Sequence, residues 1–191
     1  MHTSTSLRML MGFVVALWSQ YALATFHEWK IDQVYSNADG SVQYVDFVLP
    51  APSDDERFLF GRTLTAGLNS HSLTFGSDLP SEPVAGQHFL VATPGFAAIA
   101  GVLPDYTFSG GPFFNPHGDT LVYASSFDTF TFPALPADGI HALNRNNTIA
   151  INAPINFAGQ AGFVPEPASW ILLSIGVVGL GVALRRRDRI S

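Results

Sequence analysis

Residues 29–49 read WKIDQVYSNADGSVQYVDFVL, and this stretch decides the fold class that the sequence predicts. Both of its halves are rich in aromatic and β-branched residues, which suit the pleated surface of a sheet. Between them lies a polar segment, 36–41, that contains Asp39-Gly40. Because glycine readily adopts the positive φ that a tight reversal requires, the stretch predicts a β-hairpin.

Short β-like segments continue along the chain after this hairpin, with Gly and Pro between them. They lie at 58–60, 72–75, 88–92, 106–108, 120–124, 127–132 and 149–151. One helical turn is predicted at 94–100, where a proline stands near the start and Gly101 follows the end. Many short strands without intervening long helices indicate an all-β fold, a sandwich or a barrel.

The β-like segments predict one domain, residues 25–152, within the roughly 100–150 residues typical of single domains. The chain contains no cysteine, so disulfides and thiol chemistry are excluded. Between residues 25 and 164 stand thirteen acidic side chains and only four basic ones. A negatively charged surface repels phosphate backbones, so we expect no nucleic-acid partner.

Motifs for catalysis or cofactor binding are missing from the sequence. There is no H-E-x-x-H, no G-x-S-x-G, and neither of the glycine-rich phosphate loops. His117 and Asp119 are close in sequence but are explained by a turn, and Asn37, Asp39 and Gly40 imitate only part of a calcium loop. The prediction is a non-enzymatic domain with no catalytic residues, no metal site and no cofactor.

Two other functions stay open at this stage. Asp54, Asp55 and Glu56 could supply the carboxylates of an extracellular hydrolase, as could a His/Asp site assembled by folding, although adjacent acids are more often solvated. Exposed aromatic rings would instead suit a carbohydrate-binding module. Most rings are expected in the core, with Phe113 and Phe114 the expected exposed exceptions in a Gly/Pro-rich loop.

Residues 1–24 have the pattern of a secretory signal peptide. An apolar core at 9–18 follows Arg8, and Ala22-Leu23-Ala24 supplies small residues at an A-x-A cleavage site. Ten apolar residues are about half of a membrane span, which argues against an anchor here. We expect the Sec translocon and signal peptidase as partners, with cleavage after Ala24.

The C-terminal residues combine three features in order. Pro165-Glu166-Pro167 is followed by an uncharged run, 168–184, and then by Arg185, Arg186 and Arg187. The run predicts a transmembrane helix of about 25 Å, slightly shorter than a typical hydrocarbon core of about 30 Å, with the arginines at the membrane edge. Residues 153–164 are rich in Ala, Gly, Pro and Asn, and predict a linker between domain and membrane.

This order at 165–191 resembles the PEP-CTERM sorting signal of Gram-negative bacteria. In that family a Pro-Glu-Pro motif, one hydrophobic helix and an Arg-rich terminus are recognised by exosortase, a membrane transpeptidase-like protease. The resemblance implies that Pro165, Glu166 and Pro167 are the processing motif. It further implies a precursor anchored transiently in the inner membrane, removal of the helix, and delivery to the cell surface or exopolysaccharide.

The middle of the chain has a second resemblance. The hairpin segment YSNADGSVQ at 35–43 looks like the opening of a group of exported bacterial proteins. The order that follows is similar to lamin-tail-like β-sandwich domains: the strand 73–75, PVAGQ at 83–87 before FLVA at 89–92, and GDTLVY at 118–123. Asp46 and Phe47 depart from that pattern, which has Glu and Leu there. The resemblance implies an immunoglobulin-like sandwich that serves as an interaction or surface module, and it brings no catalytic residues. Together with the sorting signal, it leads us to expect structural or adhesive work within exopolysaccharide or biofilm.

Overall fold

The computed structural model of the chain describes residues 27–53 and 56–165. It contains one short helix, α1 (Ala97–Ala100), and a 3-10 turn at Ala124–Ser126. The ten strands are β1 (Lys30–Ser36), β2 (Gln43–Val48), β3 (Thr63–Ala66), β4 (His71–Thr74), β5 (His88–Ala92), β6 (Tyr106–Thr107), β7 (Gly118–Tyr123), β8 (Asp128–Pro133), β9 (His141–Asn144) and β10 (Ile149–Ile151). The described chain is therefore mostly β, as predicted.

The strands form two sheets, which agrees with an all-β sandwich. One sheet has six strands in the order β10-β9-β1-β2-β5-β6, and the other has four in the order β4-β3-β7-β8. The predicted hairpin is confirmed as the antiparallel pair β1 and β2, with an irregularity in register between Ile31 and Gln33. The predicted helical turn is also confirmed, and Gly101 ends it with a φ of 71°.

The main hydrophobic core lies between the two sheets and is built around aromatic rings. The Phe89 ring stacks on Phe47 with ring centres 4.4 Å apart and meets Trp29 edge-on at 4.7 Å. Strands β7 and β8 contribute Leu121, Tyr123 and other buried residues from the four-stranded sheet. Packing of this kind replaces the disulfides that a cysteine-free domain lacks.

The outer face of the four-stranded sheet carries hydroxyl groups. Cross-strand pairs place Thr63 beside Thr74, and Thr120 beside Thr131, where the two hydroxyl oxygens are 2.9 Å apart. We call this surface the hydroxyl face; it is formed by Thr63, Thr65, Ser72, Thr74, Thr120, Val122, Thr129 and Thr131. None of these side chains is charged, and none is buried.

The outer face of the six-stranded sheet is covered instead. Tyr35, Tyr44 and Leu90 project from it into a second cluster of buried residues, which also contains Phe96, next to α1, and Val164. The cover on this side includes residues 152–164, here called the C-terminal strap. The predicted linker at 153–164 is therefore wrong, because this segment packs on the domain instead of extending from it.

Three further expectations differ from the structure. Phe113 and Phe114 are buried, not exposed, because the side chain of Gln43 accepts both of their N–H groups and donates to the Phe114 carbonyl. Segment 58–60 lies in a connection and not in a strand. No segment was predicted at strands β3 and β9, which are both four residues long.

Within residues 27–53 and 56–165, no helix is both long enough and apolar enough to cross a membrane. The predicted signal peptide at 1–24 and the predicted transmembrane helix at 168–184 lie outside the residues that the structure describes.

Candidate functional site

The candidate site is the junction between the folded domain and the Pro-Glu-Pro motif. Val164 is buried and belongs to the second cluster, whereas Pro165, the next residue, is exposed. Glu166 and Pro167 lie outside the described residues, as do Arg185, Arg186, Arg187, Ala22 and Ala24. The fold thus extends to the first residue of the motif.

Asn152 fixes the chain directly before the motif. Its side-chain oxygen accepts the N–H of Val164 at 2.7 Å, and its amide nitrogen donates to the Val164 carbonyl at 3.0 Å. The same amide nitrogen also donates to the Ile140 carbonyl at 2.6 Å. Because both backbone groups of Val164 are satisfied by one buried side chain, Asn152 closes the strap into a loop whose two ends meet.

Side chains of the sheet hold the first half of the strap by its backbone. Alternate N–H groups donate to acceptors from elsewhere in the fold: Ala153 to Gln33 Oε1 at 3.1 Å, Ile155 to Asp46 Oδ2 at 2.9 Å, and Phe157 to Asp105 Oδ2 at 2.9 Å. The strap then reverses, and Ile155 forms an antiparallel bridge with Ala161. The carboxylates of Asp46, which is buried, and Asp105, which is half-buried, thus accept the backbone hydrogen bonds that a neighbouring strand would otherwise accept.

Asp46 also pairs with His88, and the pair was brought together by folding. His88 Nδ1 lies 2.7 Å from Asp46 Oδ1, and His88 borders a cavity of about 410 Å³ lined by residues that include Gln87, Ile155 and Phe157. Burial raises the pKa of Asp46 to about 6, although the hydrogen bond and charge of His88 oppose the shift. Burial alone would lower the pKa of His88, but the hydrogen bond and charge of Asp46 raise it.

A second carboxylate and imidazole meet near the first described residues. His27 lies between Glu28 and Glu56, with 3.1 Å from Nε2 to Glu28 Oε1 and 3.1 Å from Nδ1 to Glu56 Oε1. Glu56 was expected among solvated acids but is buried, and burial raises its pKa. Its carboxylate accepts the Glu28 N–H, and its backbone carbonyl accepts the indole N–H of Trp29, so it stabilises the start of β1.

The other sequence candidates serve the turns that contain them. Asp119 is buried and accepts the N–H groups of Leu68 at 2.8 Å and Asn115 at 2.9 Å, while His117 is exposed. In the hairpin loop Asp39 accepts from Ser41, and Asn37 Oδ1 accepts the Val42 N–H. Across residues 27–53 and 56–165, no group of three His, Asp or Glu side chains is placed to hold a metal ion.

Exposed aromatic rings do not line a sheet face in the described part of the chain. Phe60, Phe127 and Phe163 are exposed, but each lies in a connection and not in a strand. A stacking platform for sugars requires rings side by side on one surface, which three separate connections do not provide.

The residues that shape this junction were not identified from the sequence. Asn152 stands in a segment with linker composition, and its partner Val164 is twelve residues away. Asp46 is the one residue of this group that the sequence could have indicated. It lies between Val45 and Phe47 in a strand of buried residues, and an acid in such a position needs a hydrogen-bond partner.

Comparison with known families supports the resemblance of the C-terminal residues. No match was found among curated proteins. The family model of the PEP-CTERM protein-sorting motif matches residues 163–187, which begin with the last two strap residues and include Pro165, Glu166 and Pro167. The chain therefore carries a PEP-CTERM protein-sorting motif that starts inside its folded domain.

Proposed function

We propose that this chain is an exported precursor that exosortase processes at Pro165-Glu166-Pro167. In this proposal the Sec translocon and signal peptidase act on residues 1–24, and residues 168–184 hold the precursor transiently in the inner membrane. Processing then delivers the domain to the cell surface or the extracellular matrix. The observation that carries the proposal is the match of residues 163–187 to the sorting motif.

The junction adds a structural condition to this proposal. Because Val164 is held by Asn152 and Pro165 is exposed, the motif begins at the surface of the folded domain. Exosortase must therefore approach a motif with a folded body on its N-terminal side and the membrane on its C-terminal side. A fully folded domain is compatible with processing only if the enzyme engages residues from Pro165 onward.

For the delivered domain we propose structural or adhesive work within exopolysaccharide or biofilm, without catalysis. We also propose that the domain is an immunoglobulin-like or lamin-tail-like sandwich. The hydroxyl face supports it, because an uncharged surface of hydroxyl groups can exchange hydrogen bonds with a neutral polysaccharide. A carbohydrate-binding module is the related alternative, and it would use this face in place of aromatic stacking.

Fractionation of the native host, with and without its exosortase, tests the sorting proposal. With the enzyme, surface protein should have a mass that excludes Arg185–Ser191; without it, the full-length C-terminus should stay in the membrane fraction. Glu166→Ala should reproduce the loss of processing, while Glu28→Ala, a control on the domain, should be processed normally. Surface protein that retains residues 185–191 would refute the proposal.

An extracellular hydrolase is the second candidate, favoured by the Asp46–His88 pair beside its cavity. If the domain is a hydrolase, the natural protein should hydrolyse a host polysaccharide or peptide, and His88→Gln should abolish this activity while the protein stays folded. The non-enzymatic proposal expects no turnover by either protein.

A further inference from the structure

An apolar patch lies where the strap reaches the sorting motif. We call it the exit patch: Ile99 in α1, Leu103 after it, and Phe163 in the strap, with exposed fractions of 43%, 69% and 42%. Large apolar side chains that stay exposed together on one surface often mark a contact with another partner.

The strap brings the parts of the exit patch together. The Phe163 N–H donates to the carbonyl of Ala100, the residue after Ile99, at 3.1 Å. Gly162 lies so close to this segment that an added Cβ would be 2.8 Å from the Ala100 carbonyl oxygen. The segments that carry the three exposed side chains are therefore neighbours: α1, the residues directly after it, and the end of the strap.

The two segments that build this surface carry no charge. Residues 92–104 and 149–165 contain no Asp, Glu, Lys, Arg or His, in a chain that has a net charge of −6. Lipid phosphates would repel the acidic remainder of the domain, but they find no like charge on these segments. Binding here would depend on apolar burial and not on electrostatic attraction.

The tail limits how far the exit patch can be from a membrane. Only Pro165, Glu166 and Pro167 separate Val164 from the apolar run at 168–184, and three residues extend at most about 10 Å. The headgroup layer of a bilayer is roughly 5–7 Å deep on each side. A tail inserted in the membrane would thus hold the exit patch next to lipid at high effective concentration.

We propose that the exit patch docks on the lipid surface of the membrane that holds the tail. This inference rests on the proposed membrane-anchored precursor and adds a contact between the domain and the bilayer. Ile99, Leu103 and Phe163 enter the interfacial layer, where apolar side chains are removed from water. Docking presents Pro165 at the membrane surface, and it ends when processing removes the tail, because the patch alone is small.

The absence of cysteine allows a direct test with a single label. Leu103→Cys and Leu68→Cys give matched sites, since these leucines are 69% and 68% exposed and Leu68 lies in the turn between β3 and β4 of the other sheet. Each full-length protein is labelled with a fluorophore and reconstituted into vesicles of phosphatidylethanolamine and phosphatidylglycerol that contain headgroup spin-labelled lipid. We expect several-fold stronger quenching at position 103, unchanged by high salt.

The contribution of the exit patch to quenching is tested by making Ile99→Ser and Phe163→Ser together in the Leu103→Cys protein. Quenching at 103 should fall to that at 68, whereas Phe60→Ser, at a site 67% exposed, should not change it. Equal quenching at 103 and 68 in protein that floats with the vesicles would overturn docking and leave anchoring intact. Protein that does not float at all would overturn the anchoring on which docking rests.

Discussion

The outer face of the four-stranded sheet presents threonine and serine to solvent, whereas the outer face of the six-stranded sheet lies beneath the C-terminal strap. The first face needs no cover, because its hydroxyl groups are satisfied by water and by one another. The second carries Tyr44, Leu90 and the carboxylate of Asp46, all of which require a covering layer. The two sheets thus share one core, but only the six-stranded sheet needs a covering layer on its outer face.

This difference explains where the sorting motif leaves the domain. The last described residues cover the six-stranded sheet, so the motif starts at the edge of a structural layer and not from a free linker. Substitutions should therefore have the largest effect on stability in the shared core, a smaller effect on the covered face, and the smallest effect on the hydroxyl face.

The largest effect is expected in the core that both sheets share. Phe89→Ala removes a fully buried ring that packs on Phe47 and Trp29, and should lower the free energy of unfolding by about 3–5 kcal/mol. Urea titration followed by tryptophan fluorescence measures it. Thr129→Ala on the hydroxyl face is the control, and a comparable loss there would contradict the division between core and face.

Local opening of the strap at Val164 should affect the covered side of the domain. Asn152→Ala leaves both backbone groups of Val164 without their partner, so local opening of the strap should become easier by about 1–3 kcal/mol. Hydrogen exchange followed by mass spectrometry should show faster exchange at residues 153–164 and no change in β7 and β8. Asn69→Ala, at a half-buried site beside the other sheet, should leave the strap unaffected.

The covered face should also give the domain a distinctive dependence on pH. Burial raises the pKa of Asp46 from an ordinary 3.8 to about 6, so the folded state takes up a proton before the unfolded state does. The contribution of Asp46 to stability therefore increases as pH falls through 6 and is complete below about 4. His88, whose pKa is raised above 6.5, contributes stability that is present below 6.5 and lost as pH rises.

Asp46→Asn should remove the Asp46 part of this dependence. Urea midpoints between pH 4 and 6 should then change less with pH than in the natural chain, and an NMR titration should show a lower His88 pKa. Asp138→Asn is the contrasting variant. Burial alone would raise the pKa of Asp138, but hydrogen bonds from His141 and Ile140 lower it to about 2, so its contribution is lost only as pH falls below 3.8. An unchanged slope in Asp46→Asn would contradict the assignment.

The smallest effect on stability is expected on the hydroxyl face. Thr131→Val removes an exposed hydroxyl contact with Thr120, and the free energy of unfolding should change by no more than about 0.5 kcal/mol. The same substitution made together with Thr120→Val should nevertheless reduce retention on host exopolysaccharide in a pull-down. Retention that is unaffected, with the fold intact, would remove the hydroxyl face from the proposed adhesive role.

The sequence was sufficient for the elements whose signals are local. Aromatic and β-branched residues on both sides of Asp39-Gly40 predicted the β1–β2 hairpin, residues 88–92 coincide with β5, and Gly101 ends α1. It was insufficient where the decisive partner is distant. Gln33 accepts from Ala153, 120 positions away, and Gln43 orders Phe113, 70 positions away, so linker-like and loop-like compositions gave the wrong prediction. At the candidate site, the sequence predicted the sorting motif but not the contact of Asn152 with Val164 that joins the motif to the fold.

The clamp of Asn152 on Val164 has a consequence for the life of the delivered protein. An exopeptidase digests a chain from a loose end that it can thread into its active site. If processing cuts near Pro165, the new C-terminus lies beside the buried Val164, and too few free residues remain for an exopeptidase to bind. The contact between Asn152 and Val164 would then protect the new terminus from such digestion.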